Sequence, residues 1–231
     1  MSRQQQSLPA IEIEKDFYRI NTLGNFQVVC NGNDLTVSLD KSLKLWDLFK
    51  YFLTFRGELI LPEKIITSLW PEADYIDPKR TLRALVFRLR KALRMEECAD
   101  SEGLIVSSRG CYKFEPQNNC VIDVVEFESL FRRAYELSRE ESNSAIQLFA
   151  QVIAMYKGDY LSETYGHDWL IPPRNYYRNM FLQSVYEASG LLKEQKRYPE
   201  ILSVCEAALK YELFEEELHF NYIEALAGSG K

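Results

Sequence analysis

Between Lys79 and Arg94 the chain carries Lys79, Arg80, Arg83, Arg88, Arg90, Lys91 and Arg94 without one intervening acid. Clustered cations of this kind hold anions. The chain as a whole has a formal net charge of -6, and without these seven side chains it would be -13, so positive charge is concentrated in this run. Taken as a helix, the run sets Leu82, Leu85, Val86, Leu89 and Leu93 on one face and Arg80, Arg83, Arg90, Lys91 and Arg94 on the other. One face requires a core and the other an anion. A solvated amphipathic helix would mix the signs of its charges, because i,i+4 pairs of opposite sign stabilise an exposed helix. Here like charges repel, a cost that a polyanion would relieve, and nucleic acid is the reading that follows.

The surrounding sequence has to position that helix. Asp77-Pro78 starts it, with Asp as N-cap and Pro in the first turn, where its missing N–H has no partner to lose. Upstream, Lys41 to Arg56 reads as a helix with Leu45, Leu48, Phe49, Phe52 and Leu53 inward and Gly57 at its end, and Pro62 to Trp70 reads as a shorter one. Before them, Phe17–Thr22, Phe26–Cys30 and Asp34–Ser38 read as short strands, and Asn31-Gly32 between the last two is a hairpin signal. After the basic run, Leu104–Ser107 and Cys111–Phe114 flank Ser108-Arg109-Gly110 as a second hairpin with Arg109 at its tip.

A small antiparallel sheet, three helices and a hairpin, in that order, predict an α+β winged helix-turn-helix. In such a domain the third helix enters the major groove and the hairpin lies against backbone or minor groove. Lys79, Arg88, Lys91, Arg94 and Arg109 are then candidates for phosphates. Arg80 and Arg83, with Phe87 or Arg90, are candidates for base edges, since Arg pairs with guanine and an aromatic edge touches a thymine methyl.

Other chemistries find little support. The five cysteines are odd in number, widely spaced and include no C-x-x-C pair, which argues against a disulfide framework and a zinc site and for free thiols in a reducing compartment. His167 and His219 are the only histidines, neither has metal-ligand spacing, and no nucleophile elbow, phosphate loop or dinucleotide fingerprint occurs. We therefore expect no cofactor, no metal and no enzymatic activity; an enzyme would have to be built on Tyr165–Trp169, where His167 adjoins Asp168 as loop structure. No apolar run reaches the roughly 20 residues of a membrane span, and the N-terminus lacks the apolar centre of a signal peptide, so the expected compartment is the cytoplasm.

The second half reads as all-helical. Glu115–Ile122 is a polar boundary, Asp123 with Glu126 resembles a capping box, and helices are expected over Asp123–Leu137, Ser144–Lys157, Arg174 to about Gln195, Tyr198–Tyr211 and from Glu215 onward. The aromatics of 156–177 are expected in the core rather than in a ligand groove. The stretch SGLLKEQKRYPEILSVCEAALKYELFEEEL resembles a tetratricopeptide repeat, with Gly190 and Ala207-Ala208 where helices approach closely. Such pairs stack because one alone cannot cover its apolar face. The last helix has no partner after it, so the expectation is a helical domain truncated at its C-terminus or covered by another copy. The expected division is a polar tail over 1–16, a winged helix-turn-helix domain over 17–116 and the helical domain over 117–231.

TLRALVFRLRKAL, preceded by LWP and by a helix ending in FRG, resembles the DNA-binding domain of SARP-type bacterial transcriptional activators, which are similar to OmpR-type winged helices. GLIVSSRGCYKFEP resembles that family's closing hairpin, and VIDVVEFESLFRRA the entry to its bacterial transcriptional activation domain. The resemblance implies an activator that binds double-stranded promoter DNA, contacts RNA polymerase subunits and uses its helical domain in activator and dimer contacts. Phe87 stands where such activators often carry a small polar residue, so their preferred DNA sequence does not carry over. The Ala content is low for the actinomycete members, so an antibiotic-pathway target does not follow. The competing reading is a peptide-binding adaptor in which the helical repeats carry the function and the winged helix binds protein.

Overall fold

The computed structural model describes residues 17–38, 43–72, 76–93, 103–116 and 118–230. The tail over 1–16, Met95–Glu102 and Arg94 lie outside the described residues.

Three short strands open the fold: β1 (Tyr18–Asn21), β2 (Gln27–Cys30) and β3 (Asn33–Asp34). Asn31 and Gly32, both at positive φ, make the tight turn that the Asn-Gly pair predicts between β2 and β3. The third expected strand is a strand for only two residues, because the chain coils at once into α1 (Leu35–Ser38). The Asp34 carboxylate explains the switch: it accepts from the Thr36 amide at 2.8 Å and from the Thr36 hydroxyl, an Asp-centred turn that competes with continued pairing. These local hydrogen bonds hold Asp34 below the usual carboxylate range against the opposing pull of partial burial.

Three helices follow, α2 (Leu43–Thr54), α3 (Pro62–Leu69) and α4 (Pro78–Ala92), close to the expected spans. Their apolar faces meet over Leu48, Phe49, Ile65, Leu82, Val86 and Leu89, all buried. The hairpin β4 (Ile105–Ser108) and β5 (Cys111–Phe114) closes this half, its first strand one residue later than expected. The fold class is the expected one, a winged helix-turn-helix followed by a helical domain.

The sheet departs from the expected antiparallel form. Its order is β3-β2-β1-β6, and β6 (Cys120–Ile122) runs parallel to β1. β6 falls inside the stretch expected to be a polar linker. Burial within this joint pushes the Cys120 thiol up to about 12.

Beyond β6 the chain is helical: α5 (Asp123–Leu137), α6 (Ser142–Met155), a 3-10 turn (Asp168–Leu170), α7 (Ile171–Glu194), α8 (Tyr198–Leu209) and α9 (Glu216–Gly228). α7 begins three residues before the expected Arg174, because Pro172 and Pro173 fit the first turn of a helix and do not delay it. Tyr156, Tyr160 and Tyr177 are buried, as the core reading of these aromatics requires, whereas Tyr165 and Tyr176 are exposed and depart from it. Gly190 faces open space and is not the close approach expected of it; that role falls to Gly228, where a Cβ would lie 2.4 Å from the Tyr198 ring.

Asp123 is not the N-cap of α5, which is Ile122, though its carboxylate accepts from the neighbouring Val124 amide at 2.8 Å. Its carboxylate reaches back 100 residues, accepting from the Thr22 amide (2.6 Å), the Leu23 amide (2.8 Å) and the Thr22 hydroxyl (2.6 Å). The loop after α6 is stitched to the same place: Leu23 bridges Tyr160, the Leu161 amide donates to the Thr22 carbonyl at 2.7 Å, and the Gly24 amide to the Asp159 carbonyl at 3.0 Å. Arg174 then fixes that loop from the start of α7, donating to the carbonyls of Tyr160, Leu161 and Thr164. From the turn after α2, Arg56 pairs with Glu128 of α5 at 2.7 Å, and Tyr177 of α7 donates to the same carboxylate at 2.8 Å. One apolar cluster runs through both halves.

Replacing Asp123 by Ala strands three amides and a hydroxyl, and equilibrium urea unfolding is expected to show a loss of about 2–4 kcal/mol, with Asp123→Asn losing less. Gly24→Ala is expected to cost about 2 kcal/mol or more by the same measurement, because Gly24 sits at φ +87° and a Cβ would lie 2.6 Å from the Lys157 carbonyl oxygen.

Candidate nucleic-acid interface

Local chemistry sets the start of α4 as the sequence implies. The Asp77 side chain accepts from the Arg80 amide at 3.0 Å, and Pro78 takes the first helical position. Leu82, Leu85, Val86 and Leu89 then turn inward, which forces Arg80, Arg83, Phe87, Arg88 and Lys91 to the surface. The exposed wall is cationic with one aromatic, Phe87, 70% exposed. Among the described residues, the guanidinium groups of Arg80, Arg83, Arg88 and Arg109 make no hydrogen bond or ion pair.

Three of the nominated cations, Lys79, Arg90 and Lys91, have partners. Lys79 meets Glu63 of α3 at 2.8 Å, and this hydrogen bond holds the Glu63 carboxyl below its ordinary value. Both side chains are largely exposed, so the pair is weak and screened by salt. Arg90, expected on the outward face, is half-buried and turned toward the hairpin, donating to the Ile105 carbonyl and the Ser107 hydroxyl.

The hairpin turn is a two-residue loop between the paired Ser108 and Cys111. Its residues Arg109 and Gly110 both have positive φ, +51° and +81°, as the favoured two-residue hairpin turn demands. Glycine suits that backbone and arginine does not, so the exposed Arg109 is held at the tip against its own conformational preference. On its other side β5 is anchored by Ile60, which exchanges two backbone hydrogen bonds with Tyr112 at 2.7 and 2.9 Å. Between α4 and the hairpin lies an open cleft lined by Arg83, Phe87, Arg90, Ser107, Arg109 and Tyr112. Tertiary structure thus brings Lys79, Arg83, Phe87 and Arg90 of α4 and Arg109 of the hairpin tip to one cleft, while Arg80, Arg88 and Lys91 lie on α4 outside it.

The other nominated chemistry disperses. His167 stacks on Trp169 with ring centroids 5.3 Å apart, while Asp168 begins the 3-10 turn. Among the described residues no group of histidine, cysteine, aspartate or glutamate could hold a metal ion, and no helix is long and apolar enough to cross a membrane.

Against known proteins, residues 122–231 match the family model of the bacterial transcriptional activator domain. This half of the chain is a bacterial transcriptional activator domain. The activator domain begins at Ile122, within β6, so the strand that completes the N-terminal sheet overlaps its first residue. The whole fold is similar to Mycobacterium tuberculosis EmbR in complex with a low affinity phosphopeptide, with a TM-score of 0.76, 16% identity, and coverage of 94% of this chain and 56% of that one. At that identity the likeness is one of fold, and the chain spans little more than half of that protein's length. No curated protein sequence matches. The SARP-type resemblance is borne out by the activator domain and by this fold, and the matched family is one of transcriptional activators and not of enzymes.

What the sequence reading missed is the inward turn of Arg90. Its spacing from Arg83 and Phe87, i+7 and i+3, sets all three on one strip of α4, and that strip borders the hairpin as well as solvent. Phe87→Ala is expected to change unfolding free energy by no more than about 0.5 kcal/mol, whereas Leu89→Ala, at a fully buried site, should cost about 2–5 kcal/mol. Thermal and urea denaturation of the two variants will show whether Phe87 is dispensable to the fold.

Proposed function

We propose that this protein is a sequence-specific transcriptional activator that binds promoter DNA through α4 and the β4–β5 wing. The observation that carries the reading is the set of exposed cations on α4 and at the wing tip, of which Arg83 and Arg109 flank one cleft. Arg80, Arg83, Arg88 and Arg109 are exposed, their guanidinium groups make no ion pair among the described residues, and they belong to a chain whose remaining charge is strongly negative.

Arg80 and Arg83, near the N-terminal end of α4, take the base edges, and Phe87 packs against a thymine methyl one turn further on. Arg88, Lys91, Arg94 and Arg109 engage phosphates, joined by Lys79 once a phosphate displaces Glu63. Arg90 contributes charge but is committed to the wing. The acidic remainder repels the duplex from every other face and so orients the encounter. The activator domain, joined to the reader by Asp123, Arg56 and the 159–162 loop, presents its surface to RNA polymerase subunits at an orientation set by the DNA. Action in the cytoplasm follows from this role, and a homodimer on repeated half-sites is compatible with it.

Selection from a random duplex pool at physiological salt should enrich a shared element, and two copies at one helical-turn spacing would indicate a dimer. With the enriched duplex, Arg80→Glu combined with Arg83→Glu should abolish binding while the melting temperature stays unchanged. A peptide-binding adaptor would be indifferent to those charges. With about five phosphates neutralised, log affinity should fall against log salt with a slope near -4 to -5. Recovery of an unenriched pool would count against a sequence-specific regulator.

A further inference from the structure

We propose that Arg90 is a positioning residue for DNA binding: it sets the wing beside α4, so that Arg109 meets a phosphate while Arg83 and Phe87 lie in the groove. This rests on the reading of the face as a DNA reader and adds to it a division of labour among its cations.

The geometry is that of a tether. The Arg90 guanidinium donates to the Ile105 carbonyl from Nε at 3.2 Å and from Nη2 at 3.0 Å, and from Nη2 to the Ser107 hydroxyl at 3.0 Å. Three bonds from one planar group fix direction as well as distance, which a lysine ammonium on a flexible stem does not do. The hairpin is otherwise held at β5, where Ile60 pairs with Tyr112 and the Gly57 amide donates to the Phe114 carbonyl at 3.0 Å. Arg90 holds β4, so the two strands are anchored to opposite neighbours and the hairpin has little freedom to swing about β5. Its tip carries Arg109 on a backbone that arginine does not favour. A side chain held there serves the duplex only if the whole hairpin is held at a fixed offset from α4.

Arg90 is thus spent on protein carbonyl and hydroxyl groups, and its effect on DNA passes through Arg109. A cation acting directly on a phosphate would be replaceable by lysine. A tether would not.

The test uses the full chain and the duplex enriched from the random pool, with the variants Arg90→Lys, Arg90→Met and Arg109→Asn, the last chosen because asparagine tolerates the left-handed turn. Arg90→Lys and Arg90→Met are each expected to weaken binding about fivefold to tenfold, as loss of charge-assisted hydrogen bonds would. Arg90→Lys should lower the salt slope by about 0.9, one phosphate contact, even though the protein's charge is unchanged. Arg109→Asn should weaken wild-type binding by a similar factor yet cost nothing further in the Arg90→Lys background, the non-additivity expected of groups that act as a unit. Ser107→Ala, which removes one of the three bonds at an exposed residue, should move affinity the same way by less, and it covers the case in which Arg90→Met fails to fold.

Wild-type affinity and slope in Arg90→Lys would overturn the tether, and so would additive losses in the double variant, while leaving the DNA reading intact. Failure of the wild type to bind any duplex would overturn the DNA reading and this role together.

Discussion

The carboxylate of Asp123 joins the two halves of this molecule. It sits where β6 ends and α5 begins, and it satisfies the backbone of Thr22 and Leu23 just past the end of β1. Backbone amides at a strand end need partners wherever water is excluded, and Thr22 is fully buried. By supplying them from the first residue of the first activator-domain helix, the chain makes the end of its sheet and the start of its helical layer a single structural event. The parallel pairing of β6 with β1, the bridge between Leu23 and Tyr160 and the hold of Arg174 on the 160–164 loop all lie around that point.

The consequence reaches the far side of the molecule through α2. Its inner face packs against α4, its last residue Thr54 bonds to Tyr160, and Arg56 in the turn just after it bonds to Glu128 and Tyr177 of the helical half. Burial pushes the Tyr160 and Tyr177 hydroxyls upward from the ordinary tyrosine value, so both stay protonated and able to donate across physiological pH. For Arg56, burial works against the charge, but Tyr177 and Glu128 outweigh it and the guanidinium is held charged more firmly than in water. The same helix that backs the cationic face is therefore pinned to the activator domain through the Tyr160 and Tyr177 hydroxyls and, just past its end, the Arg56 guanidinium.

Charge is divided in the same way. Cations needed for architecture are saturated by protein: Arg174 by three carbonyls, Arg56 by Glu128, Arg178 by Glu212, Arg90 by the hairpin. Arg80, Arg83 and Arg88 on the outer wall of α4 and Arg109 at the wing tip are left to solvent. Exposed like charges along one helix face destabilise it modestly, and the deep apolar contacts of Leu82, Val86 and Leu89 offset that cost.

Much of this was fixed locally and is legible in the sequence. Asp77-Pro78 begins α4, the apolar period of Leu82, Leu85, Val86 and Leu89 decides which wall faces out, Asn31-Gly32 and Arg109-Gly110 make turns, and the helical repeats announce themselves by their spacing. Each depends on residues within a turn or two of one another, where periodicity and backbone preference act without help from the rest of the chain. Tertiary structure decided the rest. Nothing near Asp123 in sequence distinguishes a capping carboxylate from one that binds amides 100 positions away, nothing in Glu115–Ile122 marks a strand whose partner is β1, and Arg90 looks like its neighbours until a hairpin is laid beside it. In each case a polar group takes whichever partner the folded chain brings within hydrogen-bond reach, and which partner that is depends on long-range packing that no local pattern encodes.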